Sequence, residues 1–526
     1  MVVGRQGRSG NASGNRPDQK SMATESTEAG SRAEHRGLTY WMERTLKELE
    51  KVRETPDAGA VHDLRVAIRR CRSVAAVMEE VDPDPAWKEM KKLGKKLFRQ
   101  LGELRDTQVQ EEWTRKLSSE ADPVRQMLLD DFGKKESVLR ESALRVAEKF
   151  DEKAWTKHER TLRRRARLVP PDSAAAACLA LERLEEAREL QGLALRTSKP
   201  AAWHALRIGV KRFRYTVENL LPKRYEEWGE GLKRVQDSLG EVHDLDVLSE
   251  KVAQITGPEM IAAQASWSGR IATERGQRIE TYRQLMSGQD NLWHKWRQGL
   301  PEGSLLEAAG LARLRATSRA LDANLRRTSQ VSRLTVRLFD GLRKVHAARV
   351  FERDLRKIVC GAARIHGIGA SLDAKHPQKA GWKFLRKLAE PAGWTKEEWE
   401  LLGLVVRYHR GGQPKAKQKA YGALNEVDQA RVSALAGVLR LARALRKSGI
   451  ETTTGLRIDK SVDALIVQVP GLVDSESVAA RLAVGKHLLE TCLELPLIVR
   501  AAPVAQKVLE LPKREDEGQA RMAASD

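Results

Sequence analysis

The chain has 526 residues, enough for two or more separately cored domains, and 41% of them are hydrophobic. Lys and Arg number 94 against 72 Asp and Glu, a formal net charge of +22, which points to a polyanionic partner. Four scattered cysteines without a CxxC pair exclude a disulfide framework and a cysteine zinc site. No apolar leader is present, and no apolar run approaches the about 18 residues of a membrane span, so the expectation is a cytoplasmic protein without membrane insertion.

Residues 1–33 are rich in Gly, Ser, Asn and Arg and poor in large apolar side chains, the composition of a disordered tail. Helical patterning starts near Gly37 and continues to about Trp296, with breaks at Thr55-Pro56-Asp57, Asp82-Pro83-Asp84-Pro85, Pro170-Pro171-Asp172, Ser198-Lys199-Pro200 and Gly257-Pro258. One segment of this region occurs twice. His62 is followed by Arg65, Arg69, Arg70 and Arg72, and His204 by Arg207, Lys211, Arg212 and Arg214, at the same offsets of three, seven, eight and ten. On a helix the histidine and the cations at offsets three, seven and ten fall within one arc about 80° wide. Leu64, Ile68 and Cys71, or Leu206, Val210 and Phe213, form an apolar face opposite.

A second repeated element follows each basic helix. Leu101-Gly102-Glu103-Leu104-Arg105-Asp106 matches Leu239-Gly240-Glu241-Val242-His243-Asp244, and Lys95 upstream aligns with Lys233. Two ordered matches at nearly one spacing are an internal duplication. The expected architecture is two similar helical bundles, about 34–170 and 171–300, related by a pseudo-twofold axis. Asp106 and Asp244 are expected to cap or to pair with arginine.

From Leu305 the duplication stops and histidines become denser. Arg457-Ile458, a polar turn, and Leu465-Ile466-Val467-Gln468-Val469 before Pro470-Gly471 predict a short β-hairpin within 455–470, and a last helix is expected from Ser475 to about Val499. A second domain over 301–510 and a flexible tail over 511–526 complete the reading, and the fold class is mainly all-α.

A phosphate polymer presents closely spaced charges along a flexible backbone. Holding it takes many Arg forks and mobile Lys charges along a groove, with histidines as further donors. Nucleic acid is the rival ligand, but single-strand binders interleave cations with aromatic platforms. Aromatics are only 5% of this chain; Phe213 lies on the apolar side and Tyr215 outside the basic arc.

The doubled pattern His-x-Leu-Arg-x-x-x-Lys/Arg-Arg-x-Arg, followed by Leu-Gly-Glu-x-x-Asp, resembles the conserved-histidine α-helical (CHAD) domain over about residues 34–300. The resemblance implies two pseudosymmetric bundles around a basic channel for inorganic polyphosphate. The implied binding positions are His62, Arg65, Arg69, Arg70, Arg72, Lys95 and Arg105, with His204, Arg207, Lys211, Arg212, Arg214, Lys233 and His243 in the second half. Association with polyphosphate granules would be in keeping with such a ligand.

Ile365-His366-Gly367-Ile368-Gly369, Lys375-His376 and Val406-Arg407-Tyr408-His409-Arg410 resemble the C-terminal HD-type helical domain of the exopolyphosphatase and guanosine pentaphosphatase family, over about 310–500. A metal-dependent HD hydrolase takes a metal ligand from the Asp of its His-Asp pair. Here that place is Gly367, and nothing in the chain has the strand pattern of that family's actin-like catalytic domains. The resemblance therefore implies a non-catalytic phosphate-polymer module without metal or cofactor. His366, Lys375, His376, Arg407, His409 and Arg410 are its candidate ligand contacts, with a metal-dependent phosphohydrolase as the alternative.

Overall fold

A computed structural model describes residues 37–502 apart from Pro56, 258–259, 290 and 352–354. The expected tails over 1–33 and 511–526 lie outside the described residues. The first repeat contains α1 (Leu38–Glu54), α2 (Ala58–Met78), α3 (Pro85–Leu93), α4 (Lys95–Lys116), α5 (Pro123–Glu148) and α6 (Glu152–Arg165). The second contains α7 (Ala174–Thr197), α8 (Pro200–Leu220), α9 (Pro222–Ala253), α10 (Ile261–Met286) and α11 (Leu292–Gln298).

The sequence breaks become helix ends. The Asp57 carboxylate accepts the Ala60 N–H at 2.8 Å and caps α2. Ser198 closes α7 in the left-handed conformation at φ 52°, and Pro200 opens α8 at a position that needs no N–H. The apolar faces of both basic helices are buried: Leu64, Ile68, Cys71, Leu206, Val210 and Phe213 are each 0% exposed. At Gly209 a Cβ would lie 2.7 Å from Leu190 Cδ1, so the missing side chain lets α8 press against α7.

Four helices close pairwise into a ring: α2 packs on α4 and α8, and α9 on α8 and α4. Equivalent helices thus pack on each other, α2 on α8 and α4 on α9. Asn219 Nδ2 donates to Ser73 Oγ at 3.1 Å across the first pair, and Gln110 Nε2 to the Asp244 carbonyl at 3.0 Å across the second.

The rest of the chain continues through α12 (Gly303–Leu321), α13 (Leu325–Lys344), α14 (Arg356–Ile365), α15 (Gly369–Leu372), α16 (Pro377–Leu385), α17 (Lys396–Tyr408), α18 (Lys419–Gly422) and α19 (Glu426–Lys447). It ends in β1 (Arg457–Lys460), β2 (Leu465–Pro470), α20 (Glu476–Leu493) and β3 (Leu497–Ala502). The expected hairpin is present, with Arg457 opposite Gln468 and Lys460 opposite Leu465. The last helix stops earlier than the expected Val499. Glu494 turns it off at φ 52°, Pro496 cannot continue it, and Leu497–Ala502 adds to β2 as a parallel strand. Helices α13, α14, α17 and α19 bury their apolar faces in one core with this sheet.

Helix α12 joins the two parts, packing on α7 of the duplicated region and on α14 beyond it. At this junction Glu182 Oε1 accepts from Arg313 Nη1 at 2.8 Å and from the Ala392 N–H at 2.9 Å. Among the described residues no helix is long and apolar enough to cross a membrane.

Candidate anion-binding sites

Along the α2–α8 seam the basic stripes meet. Lys211 is pushed down to about 8, first by burial and then by the charges of Arg207, Arg69 and Arg65, with Asp244 opposing. Four cations from two helices therefore crowd one place, with Arg69 and Lys211 at equivalent positions of the repeat. The Nε atoms of Arg69 and Arg207 are buried and have no hydrogen-bond partner among the described residues. Arg65 is held loosely by Asp106, 3.6 Å away, and is pushed below its usual value, first by burial. Tyr215 stands nearer this cluster than its place outside the arc suggested: the Arg69 guanidinium lies 5.5 Å from its ring centroid.

His204 and His243 join the cluster on the α8–α9 side. Their Nδ1 atoms are 3.3 Å apart, so one ring donates and the other accepts. Burial, then Arg207, His204 and Lys211, hold His243 down to about 4. Asp244 is pushed up to about 6, chiefly by burial, with Asp106 and Glu241 adding to the shift and Arg207 and Lys211 opposing it. A cavity of about 400 Å³ opens beside Lys211, lined also by Arg105 and Lys116 and by the acidic residues Glu112, Asp237, Glu241 and Asp244.

The remaining expected contacts are spread around this centre. His62 is exposed on the second turn of α2, and Lys95 and Lys233 are exposed on α4 and α9. Arg105 pairs with Glu112 at 3.1 Å and does not copy the histidine pairing of its counterpart His243. Four cations turn to partners within the protein. Arg70 pairs with Glu218 at 2.5 Å and covers Trp41, and Arg72 donates to the Lys91 carbonyl and covers Phe98. Arg212 pairs with Glu186 at 2.6 Å, and Arg214 reaches the Tyr225 hydroxyl at 3.4 Å.

In the second domain His366 and His409 meet edge to face with ring centroids 5.3 Å apart. Each Nδ1 faces a carbonyl, Ala363 O at 2.8 Å or Val406 O at 2.6 Å. A carbonyl can only accept, so both Nδ1 atoms carry the proton. Burial first, and Arg443 next, hold His366 down to about 3 and His409 well below its usual value. Arg410 follows His409, and Arg407 covers the Tyr408 ring at 5.1 Å. Lys375 and His376 lie on an exposed turn whose backbone N–H groups bond to Asp373.

Gly367 has a steric reason. A Cβ there would collide with Oδ2 of Asp322 and Oγ1 of Thr328. The residues present do not fit an HD-type metal centre, because the space for its carboxylate is filled by other side chains. Among the described residues no three His, Cys, Asp or Glu side chains converge as a metal site.

Sequence reasoning missed the arginines around His409. Arg440 and Arg443 of α19 and Arg481 of α20 line one cavity with Arg410 and Lys447. Their signal was the i, i+3 pair Arg440 and Arg443, which shares one face of a helix.

The protein-family model of the CHAD domain matches residues 38–253, and that of the Ppx/GppA phosphatase domain III matches residues 313–474. No curated protein matches the chain.

Proposed function

The chain joins a CHAD domain to a domain III of the Ppx/GppA phosphatase family, and on that footing we propose that it binds inorganic polyphosphate through the cations of α2 and α8, over a duplicated unit at 34–300. The observation that carries this reading is the crowding of Arg65, Arg69, Arg207 and Lys211 against the carboxylates of Asp106, 3.6 Å from Arg65, and Asp244, which burial pushes up to about 6. Like charges held together in a partly buried place destabilise the empty protein, and a polyanion reverses the sign of that interaction.

Arg65, Arg69, Arg207 and Lys211 are the central contacts, and His204 with His243 supplies further donors. His62, Lys95, Arg105 and Lys233 extend the contact along the polymer. Arg70, Arg72, Arg212 and Arg214 act from behind, fixing α2 and α8 through partners of their own. The second domain, over 301–510, is a non-catalytic module, in keeping with Gly367 at the place of the HD carboxylate.

Titration with defined-length polyphosphate at several salt concentrations tests this. Each neutralised phosphate contributes about −0.7 to the log–log slope in single-stranded nucleic acids, so a shallow slope near zero contradicts multivalent capture.

A further inference from the structure

Helix α6 carries a further row of cations. Lys153, Lys157, Arg160 and Arg164 follow one another at steps of four, three and four residues, and all four are exposed. At 100° per residue they fall within one arc about 60° wide. Trp155, Glu159 and Leu162, the buried residues of α6, lie on the opposite side, and the helix packs on α1 and α3. The row is therefore straight, about 17 Å long at about 1.5 Å per residue, and turned away from the protein. Arg167, exposed in the short 3₁₀ turn Ala166–Leu168, follows it.

The row has no counter-charge. The two carboxylates of α6 are engaged elsewhere: Glu152 accepts from Arg53 at 2.5 Å, and Glu159 from Arg163 at 2.8 Å. Arg165 turns to Asp82 and Asp84. The other arginines of the helix are thus paired, whereas Lys153, Lys157, Arg160 and Arg164 make no ion pair among the described residues. Like charges three and four residues apart destabilise a helix, so local stability gives no reason for the row. The duplication gives none either: α11, in the corresponding place of the second half, is a short helix of seven residues without such a row.

We propose that this face of α6 is a docking surface for double-stranded nucleic acid, held through the phosphate backbone without base readout and separate from the α2–α8 seam. Three features select that partner. The row is fixed and straight, so a flexible phosphate chain would have to be straightened on it; a duplex, with a persistence length of about 150 base pairs, already is. None of the exposed side chains of α6 is aromatic, so unpaired bases find no platform. A helix that lies on a membrane sets large apolar side chains beside its cations. Here Thr156 and Thr161 flank the row, and Trp155 and Leu162 are 0% exposed. A duplex carries one charge per about 1.7 Å of axis, so every cation of the row meets a phosphate.

The test is fluorescence anisotropy of a short, labelled, blunt duplex with the full-length protein at several salt concentrations. The wild type is expected to bind with a log–log salt slope of about −3.6 or steeper, from four phosphates at about −0.9 each. Lys157→Glu/Arg164→Glu is expected to lose about tenfold or more in duplex affinity and to show a slope shallower by about 1.8, with its polyphosphate affinity unchanged. Arg69→Glu/Lys211→Glu is expected to bind the duplex as wild type does. Both α6 positions are exposed, and circular dichroism checks that the variant folds. Lys157→Gln/Arg164→Gln, which removes charge and adds none, should give the same change of slope.

Absence of duplex binding in the wild type, or wild-type duplex affinity in Lys157→Glu/Arg164→Glu, overturns the proposal. So does a loss of polyphosphate affinity in that variant as large as its loss of duplex affinity, which would make the row part of the polymer site. Binding to phosphatidylglycerol vesicles that depends on the row, in place of duplex binding, would make the face a membrane contact and overturn it too. If Arg69→Glu/Lys211→Glu leaves polyphosphate binding unchanged while duplex binding still depends on α6, the α6 surface stands and the reading of the α2–α8 seam falls.

Discussion

His204 on α8 and His243 on α9 face each other through Nδ1 atoms 3.3 Å apart. Burial first, then Arg207, His204 and Lys211, hold His243 down to about 4, so negative charge brought close to it favours its protonation. An approaching polyanion supplies that charge. It raises Lys211 from about 8, His243 from about 4 and Asp244 from about 6, since each shift favours the less negative form.

The sign of the pH dependence follows. A group whose pKa rises on binding takes up a proton, so affinity is greatest below its free value and falls as pH rises through the bound one. Polyphosphate should bind more tightly at pH 5 than at pH 7, through His243 and Asp244, and weaken again above pH 8 as Lys211 discharges. Titrations in buffers of different ionisation heat should show net proton uptake. Proton release at pH 7 would sink the account of these three groups.

Glu182 and Arg313 hold the junction between the domains at 2.8 Å, with Arg313 almost fully buried. Arg313→Met is expected to lower stability by about 3 kcal/mol, because it strands a carboxylate with one remaining backbone donor. Denaturant unfolding reads this. A loss below about 0.5 kcal/mol would mean that the pair behaves as an exposed one.

Gly209→Ala tests the close approach of α8 to α7. Its Cβ would stand 2.7 Å from Leu190 Cδ1, so a cost of about 1–3 kcal/mol from overpacking is expected in place of the gain that alanine normally brings to a helix. A more stable variant would show that the helices have room to part.

Gly367→Asp restores the carboxylate of an HD pair on paper. In this fold it drives a side chain into Asp322 and Thr328, so a loss of about 3 kcal/mol or more is expected. Metal-supplemented phosphate release by the variant should stay at the wild-type level. A metal-dependent gain would contradict the steric account of this position.

Both basic helices, their apolar faces and the hairpin were legible because they rest on local spacing. Leu64, Ile68 and Cys71 repeat every three or four residues, and the core needs no more than that. Strand β3 was read as the end of the last helix: Pro496 marks the break, but the partner that makes Leu497-Ile498-Val499 a strand, Leu465, lies far back in the chain. The partners of Arg70 and Arg212 were hidden for a similar reason. Glu218 and Glu186 come from other helices, and a helical wheel shows a stripe without showing what faces it. The arginines around His409 are assembled from the turn after α17 and from α19 and α20, so no single segment carries their signature.

The central claim rests on charges at equivalent positions of the two halves, Arg69 and Lys211. The most direct measurement is the polyphosphate affinity of Arg69→Glu/Lys211→Glu at the α2–α8 seam, set against that of the wild type. Loss of two charge-assisted contacts predicts a fall of about a hundredfold or more and a salt slope shallower by about 1.4. An affinity and slope equal to those of the wild type would contradict binding at the seam.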